Sequence, residues 1–95
     1  MKNQIRRYHV ILDGLVQGVG MRYFVKTTAD QMNLTGNVKN LYDGKVEIYV
    51  QGEQEKIDSF LSIIKKGNGF SRVYSMDIHE VPLEKHESHF SYDWY

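Results

Sequence analysis

The chain has 95 residues, 12 Lys and Arg against 12 Asp and Glu, and no cysteine. That length suits one domain over residues 1–95, with a core spanning about residues 6–94. The even charge argues against the broad basic face that non-specific nucleic-acid binding needs, and the lack of cysteine removes disulfides, a thiolate nucleophile and Cys-based metal sites.

The first 14 residues, MKNQIRRYHVILDG, have no long apolar run and no small-residue cleavage site, and no window reaches the length of a membrane span. A cytoplasmic, monomeric protein without nucleic-acid or membrane partners is the expectation. Residues 5–13 are rich in β-formers and place Tyr8, Val10 and Leu12 on one face. Gly14 to Gly20 reads as a loop. From Met21 the inward positions Met21, Phe24, Val25, Thr28, Ala29 and Met32 follow helical spacing, ending at Asn33.

Residues 34–40 read as a short strand, and Asp43-Gly44 is a hairpin signal. In the next strand, residues 45–51, Val46, Ile48 and Val50 alternate inward. A second helix is expected from Gly52. Glu53 and Glu55 fall in its first turn, Lys65 and Lys66 in its last, and Gly67 suits the C-terminal cap. Residues 71–81 read as a strand in which Val73 is out of phase with Tyr74, Met76 and Ile78. After a polar connection from Pro82 to Ser88, Phe90, Tyr92 and Trp94 alternate as a last strand at a sheet edge. The order βαββαβ plus a short C-terminal strand predicts an α+β fold, a ferredoxin-like sandwich with two helices on one face of an antiparallel sheet. That fold hosts many functions, so function has to come from a site.

The two helix starts differ. The second has acids in its first turn. The first, in VQGVGMRYF (residues 16–24), has neither a Ser, Thr, Asp or Asn cap nor an early acid, and Arg22 adds positive charge where the helix dipole is already positive. An anion at the helix start would supply the missing partner. Gly18 and Gly20 permit close approach and an inward-pointing set of N–H groups. A tight turn beside a solvated arginine accounts for the same residues equally well. Neither GxGxxG nor GxxxxGK[ST] is present. His9, His79, His86 and His89 have no ligand spacing and read as surface residues, so no metal site is expected. Phe90, Tyr92 and Trp94 match the base-stacking aromatics of RNA-binding sheets in residue type alone, because the basic glycine-aromatic motif is missing.

Leu12 to Arg22, LDGLVQGVGMR, resembles the signature of the acylphosphatase family. Gly36 to Gly52, GNVKNLYDGKVEIYVQG, resembles its second signature, with Asn37 where the family usually has an aromatic residue. The resemblance implies hydrolysis of the carboxyl–phosphate anhydride of acyl phosphates, with no metal or other cofactor. It implies that the backbone of Gln17, Gly18, Val19, Gly20, Met21 and Arg22 holds the phosphate, that Arg22 clamps it, and that Asn40 orients the attacking water. Taken alone, Asn40 reads as an ordinary residue entering a turn. A module that binds phosphate or acyl phosphate without turnover is the alternative on the same fold.

Overall fold

The computed structural model describes residues 4–92. The elements are β1 (Ile5–Leu15), α1 (Met21–Gln31), β2 (Thr35–Asn40), β3 (Val46–Glu53), α2 (Gln54–Lys66), β4 (Arg72–Val81) and β5 (Phe90–Tyr92). They form one five-stranded sheet in the order β4-β1-β3-β2-β5. The first four strands pair antiparallel, but β5 joins β2 in parallel, so the sheet is mixed rather than wholly antiparallel. Trp94, expected to continue the last strand, lies outside the described residues.

The alternation read from the sequence is the alternation that is buried. Val10, Leu12, Val38, Val46, Ile48 and Val50 face the helices and are fully buried. They meet Val25 and Ala29 of α1 and Ile57, Phe60 and Ile64 of α2 in one core. Helix α1 packs on β2 and β5, α2 packs on β3 and β4, and the helices touch each other, so both lie on the same face. Asn33, at φ 59°, ends α1 as a left-handed cap, and Leu34 N–H closes back onto Ala29 C=O at 3.0 Å.

The largest boundary differences from the sequence reading fall at the ends of β1 and β3 and at the start of α2. Strand β1 continues through Gly14 to Leu15, leaving residues 16–20 as the loop. Strand β3 runs through Gly52 to Glu53 because β1 keeps pairing with it, Arg6 to Gly52 and Ile5 to Glu53. Glu53 is therefore the N-cap of α2, and Glu55 remains as its first-turn acid, with Lys65 and Lys66 in the last turn and Gly67 at the C-cap. On β4, Ser75 pairs with Asp13 and Val73 with Gly14, which leaves Tyr74 as an extra residue in a β-bulge. The bulge explains the broken phase: Val73 and Met76 pack on the core while Tyr74 stays 76% exposed. Gly14 permits it, since a Cβ there would collide with the Arg72 carbonyl oxygen.

Residues 82–89 carry the chain from the β4 edge to the β5 edge across the open face of the sheet. Arg7, nearly buried on that face, holds this connection through a 2.7 Å ion pair with Glu87, and its guanidinium lies 5.1 Å from the Tyr49 ring centroid. Gln51 accepts from Glu84 N–H at 2.8 Å and donates to Glu84 C=O at 3.1 Å. His9, expected at the surface, is partly buried there, with Nε2 2.8 Å from Glu47 Oε2.

Candidate active site

Chain direction gathers the candidate residues at one end of the molecule. Strands β1 and β2 each run antiparallel to β3 and hence parallel to one another. Helix α1, which joins them, must run the opposite way. Its N-terminus, with Arg22, therefore sits at the end of the sheet where β1 delivers loop 16–20 and β2 delivers Asn40. By the same reasoning β3 and β4 are parallel, and α2 ends at this end too, beside Asn68.

The loop is fixed by side chains from both sides. Gln17 Nε2 donates to Leu41 C=O at 2.7 Å and to Lys45 C=O at 2.8 Å, joining the loop to the β2–β3 hairpin. Asn68 Nδ2 donates to Val19 C=O at 2.7 Å, and Asn68 Oδ1 accepts from the N–H groups of Phe70 and Ser71, both at 3.0 Å. Val16 and Met21 are buried in the core. Gln17 thus spends its amide N–H donors, and Met21 its side chain, on structure.

Between these anchors the backbone takes the conformation that needs glycine. Gly18 has φ 72° and Gly20 has φ 76°. Gly20 is the N-cap of α1, with no side-chain cap and no acid in the first turn. Phe24 N–H makes the first helical bond, to Gly20 C=O at 3.0 Å. The N–H groups of a helix's first turn have no intrahelical acceptor, and the dipole there favours an anion. The geometry is that of an anion cradle.

Arg22 and Asn40 face the same side of the sheet. The Arg22 guanidinium lies over the Tyr92 ring, 5.1 Å from its centroid. Tyr92 stands beside Val38 in the β5–β2 pairing, on the helix-facing side. Asn40 is two residues farther along β2, so it shares that side at a distance along the strand of about 7 Å. A forked cation and an amide with both a donor and an acceptor thus border one glycine-lined helix start.

Comparison with known proteins identifies the family. The sequence model of the family described as acylphosphatase matches residues 8–92. An acylphosphatase of Clostridium beijerinckii is 51% identical over 85 residues, covering 90% of this chain and 94% of that protein. The chain belongs to the acylphosphatase family.

Solved acylphosphatases share its fold. The crystal structure of the enzyme from Bacillus subtilis superposes with a TM-score of 0.89 at 40% identity, over 96% of this chain and all (100%) of that one. The acylphosphatase from Coxiella burnetii gives a TM-score of 0.88 at 32% identity, over 94% of this chain and 93% of that one. Asn37, read in the sequence as a departure from the family signature, has a simple placement. It pairs with Tyr49 and Ser91, and in a strand it points to the open face, away from Asn40.

The hairpin that carries Asn40 has its own electrostatic clasp. The Asp43 carboxylate accepts from Lys45 N–H at 3.1 Å and from Lys45 Nζ at 3.2 Å. These bonds, the backbone one foremost, hold the Asp43 carboxyl below its usual value of 3.8. Asp43 in turn raises the Lys45 ammonium above its usual 10.5, chiefly through their side-chain hydrogen bond. Gln17, Asn68 and Tyr92 were not legible in the sequence as supports of Arg22 and Asn40. Their partners lie 24, 49 and 70 residues away in the chain, the last from 92 − 22, and no local pattern encodes those meetings. No helix is long and apolar enough to cross a membrane among the described residues.

Proposed function

We propose that this acylphosphatase-family hydrolase binds the phosphoryl group of an acyl phosphate at the N-terminus of α1 and transfers it to water. The N–H groups of residues 17–22 receive the phosphoryl oxygens, and the Arg22 guanidinium clamps them from the side. Asn40 holds the attacking water through its amide. The water oxygen bonds to phosphorus, the bond from phosphorus to the carboxyl oxygen breaks, and its electron pair leaves with the carboxylate. The water's proton passes to the phosphoryl group, giving inorganic phosphate.

Phosphoryl transfer asks chiefly for positioning and charge stabilisation, which a cradle, a guanidinium and an amide provide without a metal ion. The leaving carboxylate is the base of an acid with a pKa of about 4 and needs no general acid. The scheme takes a small-molecule acyl phosphate as substrate, and we propose that the protein acts as a monomer. The observation that carries the reading is the uncapped, glycine-bordered start of α1 with Arg22 in its first turn.

The test is hydrolysis of acetyl phosphate in the presence of a chelator by the wild type, Arg22→Ala and Asn40→Ala. Turnover in the wild type and its loss in both variants is the expected result. Phosphate binding without turnover in the wild type would convert the reading to a binding module.

A further inference from the structure

The phosphate cradle leaves the substrate's other half unplaced. Two hollows adjoin the site. One, of about 230 Å³, is lined by Lys39, Asn40, Leu41 and Tyr42. The other, of about 560 Å³, lies between α1 and β5 and is lined by Tyr23, Lys26, His89, Phe90, Ser91 and Tyr92. The larger one shares Tyr92 with Arg22, whose guanidinium covers that ring.

In-line displacement chooses between them. The attacking and leaving oxygens stand on opposite sides of phosphorus. If Asn40 holds the water, the acyl group departs away from Asn40, which disfavours the hollow that Asn40 itself lines. Along β5 the pairing runs Phe90 to Gly36 and Tyr92 to Val38, while Asn40 lies beyond Val38 at the other side of Tyr92. The larger hollow therefore extends from Arg22 in the direction opposite to Asn40, along the first turns of α1.

Its lining suits an aromatic or apolar group. Phe90 is buried and forms a floor, while Tyr23 stands 66% exposed one residue after Arg22. Lys26, which also lines the hollow, has its ammonium held by Asp30 at 2.7 Å. We infer that the hollow between α1 and β5 is the acyl-group subsite, built to take an aromatic acyl phosphate with its ring against Tyr23 and Tyr92. The inference rests on the proposed hydrolysis and on Asn40 holding the water.

The experiment compares kcat/KM for benzoyl phosphate and acetyl phosphate in the wild type, Tyr23→Ala, Tyr23→Phe and Tyr42→Ala. Tyr23 and Tyr42 are both exposed, so neither change threatens the fold. Tyr23→Ala is expected to lower kcat/KM about five- to tenfold for benzoyl phosphate and about twofold or less for acetyl phosphate. Tyr23→Phe should keep the wild-type ratio, and Tyr42→Ala should leave it unchanged. An equal effect of Tyr23→Ala on both substrates, no effect on either, or a selective loss in Tyr42→Ala overturns the subsite while acetyl phosphate turnover leaves the hydrolase reading standing. Failure of the wild type to hydrolyse either substrate overturns both.

Discussion

Gln17 donates a 2.7 Å hydrogen bond to the carbonyl of Leu41, the residue that follows Asn40. With its second bond, to Lys45, the same amide joins the phosphate loop to the hairpin that delivers the proposed water-holding residue. Each acceptor keeps a backbone partner, Leu41 from Gly44 N–H and Lys45 from Leu41 N–H, so no carbonyl is stranded by its removal. Gln17→Ala is expected to cost about 1–2 kcal/mol of stability. The larger effect should fall on turnover, because Arg22 and Asn40 lose their common brace, and a displacement of about 1 Å can cost about a hundredfold. Thermal unfolding and kcat measured on the same preparation check this. Unchanged kcat beside a lowered Tm would reduce Gln17 to a purely structural residue.

Arg22→Lys keeps the charge and loses the fork. The planar guanidinium both stacks over Tyr92 and presents parallel donors to phosphoryl oxygens, neither of which an ammonium reproduces. A fall in kcat/KM for acetyl phosphate of about a hundredfold or more is expected. Turnover near that of the wild type would show that a point charge suffices.

Asn40→Ala should separate chemistry from binding. The amide is assigned to the water and not to the phosphate, so kcat is expected to fall about a hundredfold while the inhibition constant of inorganic phosphate moves by about threefold at most. Equal losses in both would reassign Asn40 to phosphate binding.

The hairpin clasp predicts a pH signature in stability. The Asp43 carboxyl is held below 3.8 in the folded protein, so its contribution is present above that value and disappears as pH falls through the lowered one. The Lys45 ammonium is raised above 10.5, so its contribution is present below that value and is lost as pH rises through the raised one. The Tm difference between wild type and Asp43→Asn should therefore stay constant between about pH 5 and pH 9 and close as pH falls through the lowered Asp43 value. Both groups are exposed, so the effect should be small and should shrink with salt. A difference that persists undiminished in acid would remove the charge from the explanation.

How far the sequence reached can be read element by element. Alternation in residues 45–51 identified the buried faces because β pleating has a period of two, and the charge pattern of α2 located its last turn because the dipole acts locally. Ladder ends were harder. Gly52 looks like a helix start in isolation, yet β1 supplies partners that keep it in β3. The bulge at Tyr74 needs a neighbouring strand to exist at all, so the sequence registered it only as a broken phase in Val73. The candidate site divides in the same way. Gly18, Gly20 and Arg22 stand out locally as a helix start that breaks the capping rules, and the φ angles of 72° and 76° at the two glycines agree. Asn40 was legible only through the resemblance of Gly36–Gly52 to a family signature.

By itself, then, the sequence determined the elements, their inward faces, the family and the uncapped cationic start at VQGVGMRYF, because all of these are written in short-range periodicity, capping and local motif. Tertiary structure alone decided that β5 joins β2 in parallel, that Tyr92 lies under Arg22, that Gln17 and Asn68 fix the loop, and that a hollow opens between α1 and β5. Those facts depend on which distant strand edges and side chains meet once the core closes. Such meetings are set by the global packing of apolar faces, and no stretch of ten or twenty residues carries them.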